Sequence, residues 1–282
     1  MAQDTDPILI TGCSTGIGRE TARHLASRGH RVFATARKLE AIEDLKEAGC
    51  ETLACDVNSE ESMTACVNAV EEAEGAVGAL VNNAGYSQSG AVETVPIDSV
   101  RRQFETNVYG LMRMCQLVLP KMRERGEGRI VNVSSMGGKL VFPGGGVYHA
   151  TKHAVEAISD ALRWEVEKFG IEVVIIEPGL IKTDFADTAV GSISETETEG
   201  PYSSFNHAVG KVTAGAYSGP TAKLGGGPDT VARKIEKAIT ARRPRTRYKV
   251  TPSAGLIMAQ RRILSDRMWD RFVKTQYPQP GP

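Results

Sequence analysis

Tyr148 and Lys152 stand four residues apart in the run Tyr148-His149-Ala150-Thr151-Lys152. On a helix that spacing puts both side chains on one face, about one turn apart. A free tyrosine titrates at roughly 10 and is a poor base at neutral pH, and a lysine ammonium beside it favours the phenolate. Lowering the value by about three units corresponds to roughly 4 kcal/mol. The pair therefore has a physical route to proton transfer near neutral pH. Tyrosine and lysine four apart also occur on ordinary helix surfaces, so the rest of the chain must decide between the two readings.

The elements that would position the pair come from the hydrophobic pattern. Short apolar runs predict strands over 8–11, 31–36, 51–55, 79–82, 129–133 and 172–177, with a seventh around 248–250. Amphipathic stretches predict helices over 16–28, 40–48, 99–125, 148–169 and 229–241. Asn58 and Glu61 suggest a capping box for a further helix running to residue 74. Strands alternating with helices imply a parallel sheet covered on both faces, and wholly apolar strands fit that burial. Ligands on such sheets sit at the carboxyl ends of the strands. The expected fold is α/β: one Rossmann-type doubly wound domain over 1–250, with a central seven-stranded parallel sheet. A substrate flap over about 184–228 and a helical extension over 251–282 complete it.

Length and composition agree with this. The chain of 282 residues, 41% hydrophobic and 24% charged, has ample material for one large domain. Lys+Arg and Asp+Glu are both 34, so no global polyanion signal exists, yet thirteen Lys/Arg against three acids leave 231–282 at +10. The five cysteines, Cys13, Cys50, Cys55, Cys66 and Cys115, form no Cys-x-x-Cys pair, and reduced thiols in a cytoplasmic protein are the simplest reading. The polar, acidic start at 1–7 is not a signal peptide. No apolar run approaches the ~20 residues of a membrane span.

The first strand runs into Thr11-Gly12-Cys13-Ser14-Thr15-Gly16-Ile17-Gly18 and a helix. Gly12 allows the tight turn, Gly16 the approach of backbone to a pyrophosphate, and Gly18 close packing of helix on strand. The phosphates would meet the helix N-terminus, with Ser14, Thr15 and Ile17 beside them. A glycine-rich turn without ligand is the bland alternative. The second strand ends Ala36-Arg37, where NAD-selective sites carry an acid. Arg can grip a 2′-phosphate that an acid would repel, so NADP(H) is preferred and NAD(H) is the alternative. Otherwise Arg37 simply starts the next helix. Asp56, followed by Val57, could accept from the adenine amino group or merely make a turn. Asn83-Ala84-Gly85 would wall the cofactor, and Asn82 could stabilise the sheet.

The chain resembles the short-chain dehydrogenase/reductase family, through the Gly12 loop, Asn82-Asn83-Ala84-Gly85, Asn107, Ser135, Tyr148/Lys152 and Pro178-Gly179 in that order. The likeness spans about 7–185 and is closest to the hydroxysteroid and retinol dehydrogenase-like group, from the Ile-Thr-Gly-Cys-Ser opening and the long C-terminal extension. It implies that Tyr148 is the acid/base, that Lys152 lowers its pKa and bonds the nicotinamide ribose, and that Ser135 polarises the substrate oxygen. It implies that Asn107 holds a water in a proton relay and bends its helix. Pro178, Gly179, Ile181 and Thr183 would contact the nicotinamide amide. By spacing to Tyr148 it favours Ser135 over Ser134. Structural roles for Asn107 and Ser135, a buried amide and a helix cap, are the alternatives. His149, one position from Tyr148, should face away as a surface or interface residue.

The resemblance implies hydride transfer between NADP(H) and a ketone, aldehyde or alcohol, with no metal. Leu140, Val141, Phe142 and Phe185 favour an apolar body beside the carbonyl, walled by 86–91, 137–146, Val147 and the flap, and the resemblance to the hydroxysteroid and retinol dehydrogenase-like group implies a steroid-like, retinoid-like or other lipophilic substrate. No Arg or Lys is obviously poised for a substrate carboxylate, with Lys139 and Lys182 the remaining candidates. A 3-oxoacyl-thioester reductase and a non-catalytic NADPH-binding sensor or scaffold are the rival readings. A homodimer or homotetramer is the family's default. In the tail, Leu256, Ile263, Leu264, Met268 and Phe272 are expected on one helix face among arginines. Packing on the domain or a second subunit is preferred there over peripheral membrane contact. No nucleic-acid motif is present.

Overall fold

The computed structural model describes residues 6–183, 185–195, 200–218 and 223–280. Parts of the N-terminal stretch (1–5), of the expected flap (184, 196–199 and 219–222) and of the extension (281–282) lie outside them. Seven parallel strands form one sheet in the order β3-β2-β1-β4-β5-β6-β7. They are β1 (Ile8–Ile10), β2 (Val32–Ala36), β3 (Glu51–Ala54), β4 (Ala79–Asn82), β5 (Gly128–Val133), β6 (Ile171–Glu177) and β7 (Arg247–Lys249). The order reverses between β1 and β4, where β1 pairs with both β2 and β4. A crevice for a ligand opens at such a switch point.

Successive strand residues point to opposite faces, so each strand feeds two cores. Ile8 and Ile10 join Val32, Ala34, Val81 and Val131 under α1 (Gly16–Ser27) and α8 (Pro228–Thr240), with Leu25, Val231 and Ile235. Leu9 joins Phe33, Leu80 and Ile130 under α2 (Glu60–Glu74), α4 (Leu111–Arg125) and α5 (Gly146–Val166), with Val67, Met114, Val118 and Val155.

Four local expectations are corrected. The helix predicted over 40–48 is two 3₁₀ turns, Leu39–Ala41 and Glu43–Leu45. A three-residue period brings Ile42 and Leu45 to the same side, and both are fully buried. The cap of α2 is Ser59, whose hydroxyl accepts from Ser62 N, not Asn58. Asn58 instead donates its N–H to Asp56 Oδ1 and accepts from Thr106. The long helix over 99–125 is α3 (Ile97–Phe104), a π turn over Glu105–Gly110 and α4. The tail holds two helices rather than one face: α9 (Pro252–Ile263) and α10 (Asp266–Lys274). Ser265 caps α10 by accepting from Met268 N, which breaks the run. Leu264 and Phe272 consequently pack with Met258, Trp269 and Val273, while Leu256, Ile263 and Met268 are exposed.

The described part of the flap is helical. It contains α6 (Phe185–Gly191), a 3₁₀ turn over Ser192–Glu195 and α7 (Ser203–Ser218). Phe205 and Val209 of α7 pack against Ala91. Among the described residues no helix is long and apolar enough to cross a membrane.

Candidate active site

The Gly12 turn is built by main-chain crowding. Gly12 has φ +73°, and a Cβ there would lie 2.8 Å from Ala84 Cα. A Cβ on Gly18 would overlap both the Gly12 carbonyl oxygen and the Asn83 amide, so only glycine lets α1 start this close to β1. Asn83 braces the loop through Nδ2, which donates to Thr11 O and Gly12 O at 3.0 Å each. Thr11 Oγ1 in turn accepts from the N–H groups of Asn83 and Ala84. No side chain caps α1 at Thr15, so its first amides remain available to a ligand.

A cavity of about 1330 Å³ opens above the carboxyl ends of the strands. One part is walled by Gly12, Ser14, Thr15, Gly16 and Ile17, with Ala36, Arg37, Asp56 and Val57 beside them. Asn83, Ala84, Gly85, Ser135, Tyr148 and Lys152 line it further on, with Pro178, Gly179, Ile181 and Thr183. Phe142 and Phe185 belong to an apolar part that also takes Leu180, Val209, Val212, Ile257, Phe272 and Tyr277. Val209 and Val212 lie in the flap expected to wall the substrate, whereas Leu180, Ile257, Phe272 and Tyr277 escaped the sequence reading. Ile257 and Phe272 were visible as apolar residues of the tail, but nothing in their spacing says that the tail returns to the cavity. Gly18 lies behind the loop that it allows to close.

Tyr148 and Lys152 do face one another. Lys152 Nζ is 5.9 Å from the centroid of the Tyr148 ring and donates to Val133 O at 2.8 Å. Burial pushes the lysine down to about 8, against the opposing pull of Glu156 one turn away, so it is mostly charged at neutral pH. Ser135 Oγ accepts from Gly137 N at 3.0 Å, which leaves its O–H free to donate. The neighbouring Ser134 hydroxyl is buried without a hydrogen-bond partner among the described residues, on the side where Gly138 and Glu156 pack. Asn107 sits in the π turn and is buried. Its Nδ2 donates to Tyr86 O and Thr151 Oγ1, and its Oδ1 accepts from Tyr86 N. Asn82 donates to Asn132 and ties β4 to β5.

A charged layer lies beneath this floor. Glu156 pairs with Lys139 at 2.8 Å and with Arg247 at 3.1 Å. Glu177 is fully buried, and burial together with Glu156 pushes its carboxyl up to about 7.

Three expectations about the walls change. His149 is buried rather than superficial, because the 137–145 loop folds over that side of α5. Its Nδ1 bonds Gly137 O at 3.2 Å, and burial pushes it down to about 4, so it is neutral. Leu140 is 2% exposed and off the cavity, because the C-terminal helices take it into their own core. Val141, half exposed, and Val147 are off the cavity wall too. Lys139 is held by Glu156, and Lys182 is exposed.

The residues present fit a nicotinamide dinucleotide. The glycine cradle would be filled by any Cβ at Gly12 or Gly18, the uncapped start of α1 suits a pyrophosphate, and Arg37 stands exposed beside Ala36.

Comparison with known proteins gives a consistent answer. Residues 6–192 match the family model described as short chain dehydrogenase. The NADPH-dependent 3-dehydrocapnine reductase of Ornithobacterium rhinotracheale is 33% identical over 276 residues, covering 94% of each chain. The 3-ketodihydrosphingosine reductase of Bacteroides thetaiotaomicron is 33% identical over 271 residues, 96% of this chain and 97% of that one. Among solved structures, a short-chain dehydrogenase from Streptomyces avermitilis superposes with a TM-score of 0.80 at 32% identity, over 98% of this chain and 99% of the other.

Proposed function

The chain belongs to the short chain dehydrogenase family, and on that premise we propose that it transfers hydride between NADP(H) and a lipophilic ketone, aldehyde or alcohol. One observation carries the reading. Tyr148, Lys152 and Ser135 share a single cavity with a glycine cradle and an apolar wall. The two relatives named as reductases, one of them NADPH-dependent, support the direction and the cofactor. Arg37 following Ala36 supports a 2′-phosphate.

The nicotinamide, when bound, supplies or accepts the hydride. The chain's own residues handle the oxygen. Ser135 donates its free O–H to the carbonyl oxygen and Tyr148 donates its phenol proton, so donors are in place where negative charge develops. Lys152 keeps its positive charge beside the phenol and stabilises the phenolate left behind. The Asn107 side chain donates to Tyr86 O and Thr151 Oγ1 and accepts from Tyr86 N, and so braces the 86–89 wall. Phe142, Phe185, Leu180 and Val209 exclude water around the substrate body.

The test is NADPH and NADH oxidation across steroid ketones, retinal, long-chain ketones, acetoacetyl thioesters and small sugars. Turnover of lipophilic ketones with NADPH favoured supports the reading, and turnover confined to polar substrates overturns it. Arg37→Ala should reduce the NADPH preference by roughly tenfold or more, the value of a charge-assisted contact; an unchanged preference removes the 2′-phosphate role.

A further inference from the structure

Tyr277 lies beyond the end of α10, and its ring joins two apolar clusters. One contains Leu140, Ala254, Met258, Trp269 and Val273, and the other Ala91, Phe205 and Val209. It therefore closes the cavity where the C-terminal helices meet α7, and it lines the cavity itself. Its main chain is anchored by N–H donation to Val273 O at 3.1 Å. Its hydroxyl makes no hydrogen bond with any described residue. Burial pushes the phenol up to about 12, so at neutral pH it is a proton donor without a protein acceptor. The residue is half-buried on the cavity wall, so its hydroxyl is available to an acceptor on a bound ligand.

The route from the reacting centre to this hydroxyl is a wall of rings. Tyr148 to His149 is 5.7 Å between centroids, His149 to Phe142 6.3 Å and Phe142 to Tyr277 6.5 Å. His149 does not compete as a donor, because its Nδ1 is held by Gly137 O. The Gln88 amide is committed to Ser89 O and Ser192 O. A ligand lying along this wall of rings meets the Tyr277 hydroxyl at its far end.

We propose that Tyr277 is a second polar anchor for the substrate. The substrate is then an elongated lipophilic ketone or alcohol with a hydrogen-bond acceptor, such as a hydroxyl or carbonyl, beyond an apolar stretch from the reacting carbon. This rests on the reductase reading above. The experiment compares matched long-chain ketones with and without a distal hydroxyl, across several chain lengths, in the wild type and in Tyr277→Phe. The wild type should favour the hydroxylated ketone in kcat/KM by about five- to tenfold at one chain length, mainly through KM. Tyr277→Phe keeps the ring and should abolish the preference, with the KM for NADPH within about twofold of wild type. A preference that persists in Tyr277→Phe overturns the anchor. So does a wild type that turns over both ketones equally. A wild type inert toward every ketone while still binding NADPH overturns the reductase reading itself.

Discussion

Glu156→Gln tests the electrostatic support of the proposed chemistry. Lys152 and Glu156 are one turn apart on α5, and both are buried. Two unit charges about 6 Å apart at an effective dielectric of about 20 interact by roughly 3 kcal/mol, or about two pKa units. Lys139 and Arg247 already neutralise part of the carboxylate, so about one unit is the expected net loss. Lys152, held down to about 8 by burial, should then fall to near neutrality. The proposed reaction needs the charged lysine. The alkaline limb of the kcat profile should therefore move down by about one pH unit, with activity near pH 8 reduced several-fold and activity near pH 6 little changed. The assay is kcat against pH at saturating NADPH and ketone, with thermal midpoints recorded to exclude unfolding. A folded Glu156→Gln variant whose profile superposes on the wild type would refute the reasoning.

Three other outcomes follow from the same geometry. Tyr148→Phe should lower kcat by about a hundredfold or more while NADPH titration by fluorescence stays near wild type; retained turnover would falsify the acid/base assignment. Gly18→Ala should cost roughly 1–3 kcal/mol in urea unfolding and weaken NADPH binding, because its Cβ overlaps Gly12 O and the Asn83 amide; unchanged stability and affinity would show that the loop relaxes freely. Glu177 has a carboxyl raised from 4.5 to about 7, so its contribution to stability is fully present below pH 4.5 and is lost as pH rises through 7. Glu177→Gln should accordingly raise the thermal midpoint relative to wild type by a few degrees above pH 7 and by little near pH 4.5; a pH-independent difference rules out this titration.

Legibility varied with the range of the interaction. The strands over 8–10, 79–82 and 128–133 were readable because a parallel sheet covered on both faces demands continuous apolar runs. The 40–48 segment misled because its apolar spacing suits a helix and a pair of 3₁₀ turns alike, and only burial of Ile42 and Leu45 decides between them. Family likeness implied a bend at Asn107, but the π turn itself was not readable within the long helix expected there. No local propensity announces a side chain that binds Tyr86 and Thr151 at once.

The linear order of residues carried the glycine cradle, the Tyr148–Lys152 spacing and Arg37 after Ala36, because each depends on neighbours within about one helical turn or one strand end. Folding decided the remainder. His149 became a buried, neutral wall residue because a distant loop covered it. Leu140 was drawn away from the cavity by the tail, and that same tail supplied Ile257, Phe272 and Tyr277 to the substrate wall. Which partner buries a side chain depends on chain segments more than a hundred residues apart in contacts such as Trp269 to Val141. Residue types and short spacings therefore reach the Tyr148–Lys152 pair and the Gly12 loop, while the shape of the cavity exists only once the tail has packed back over it.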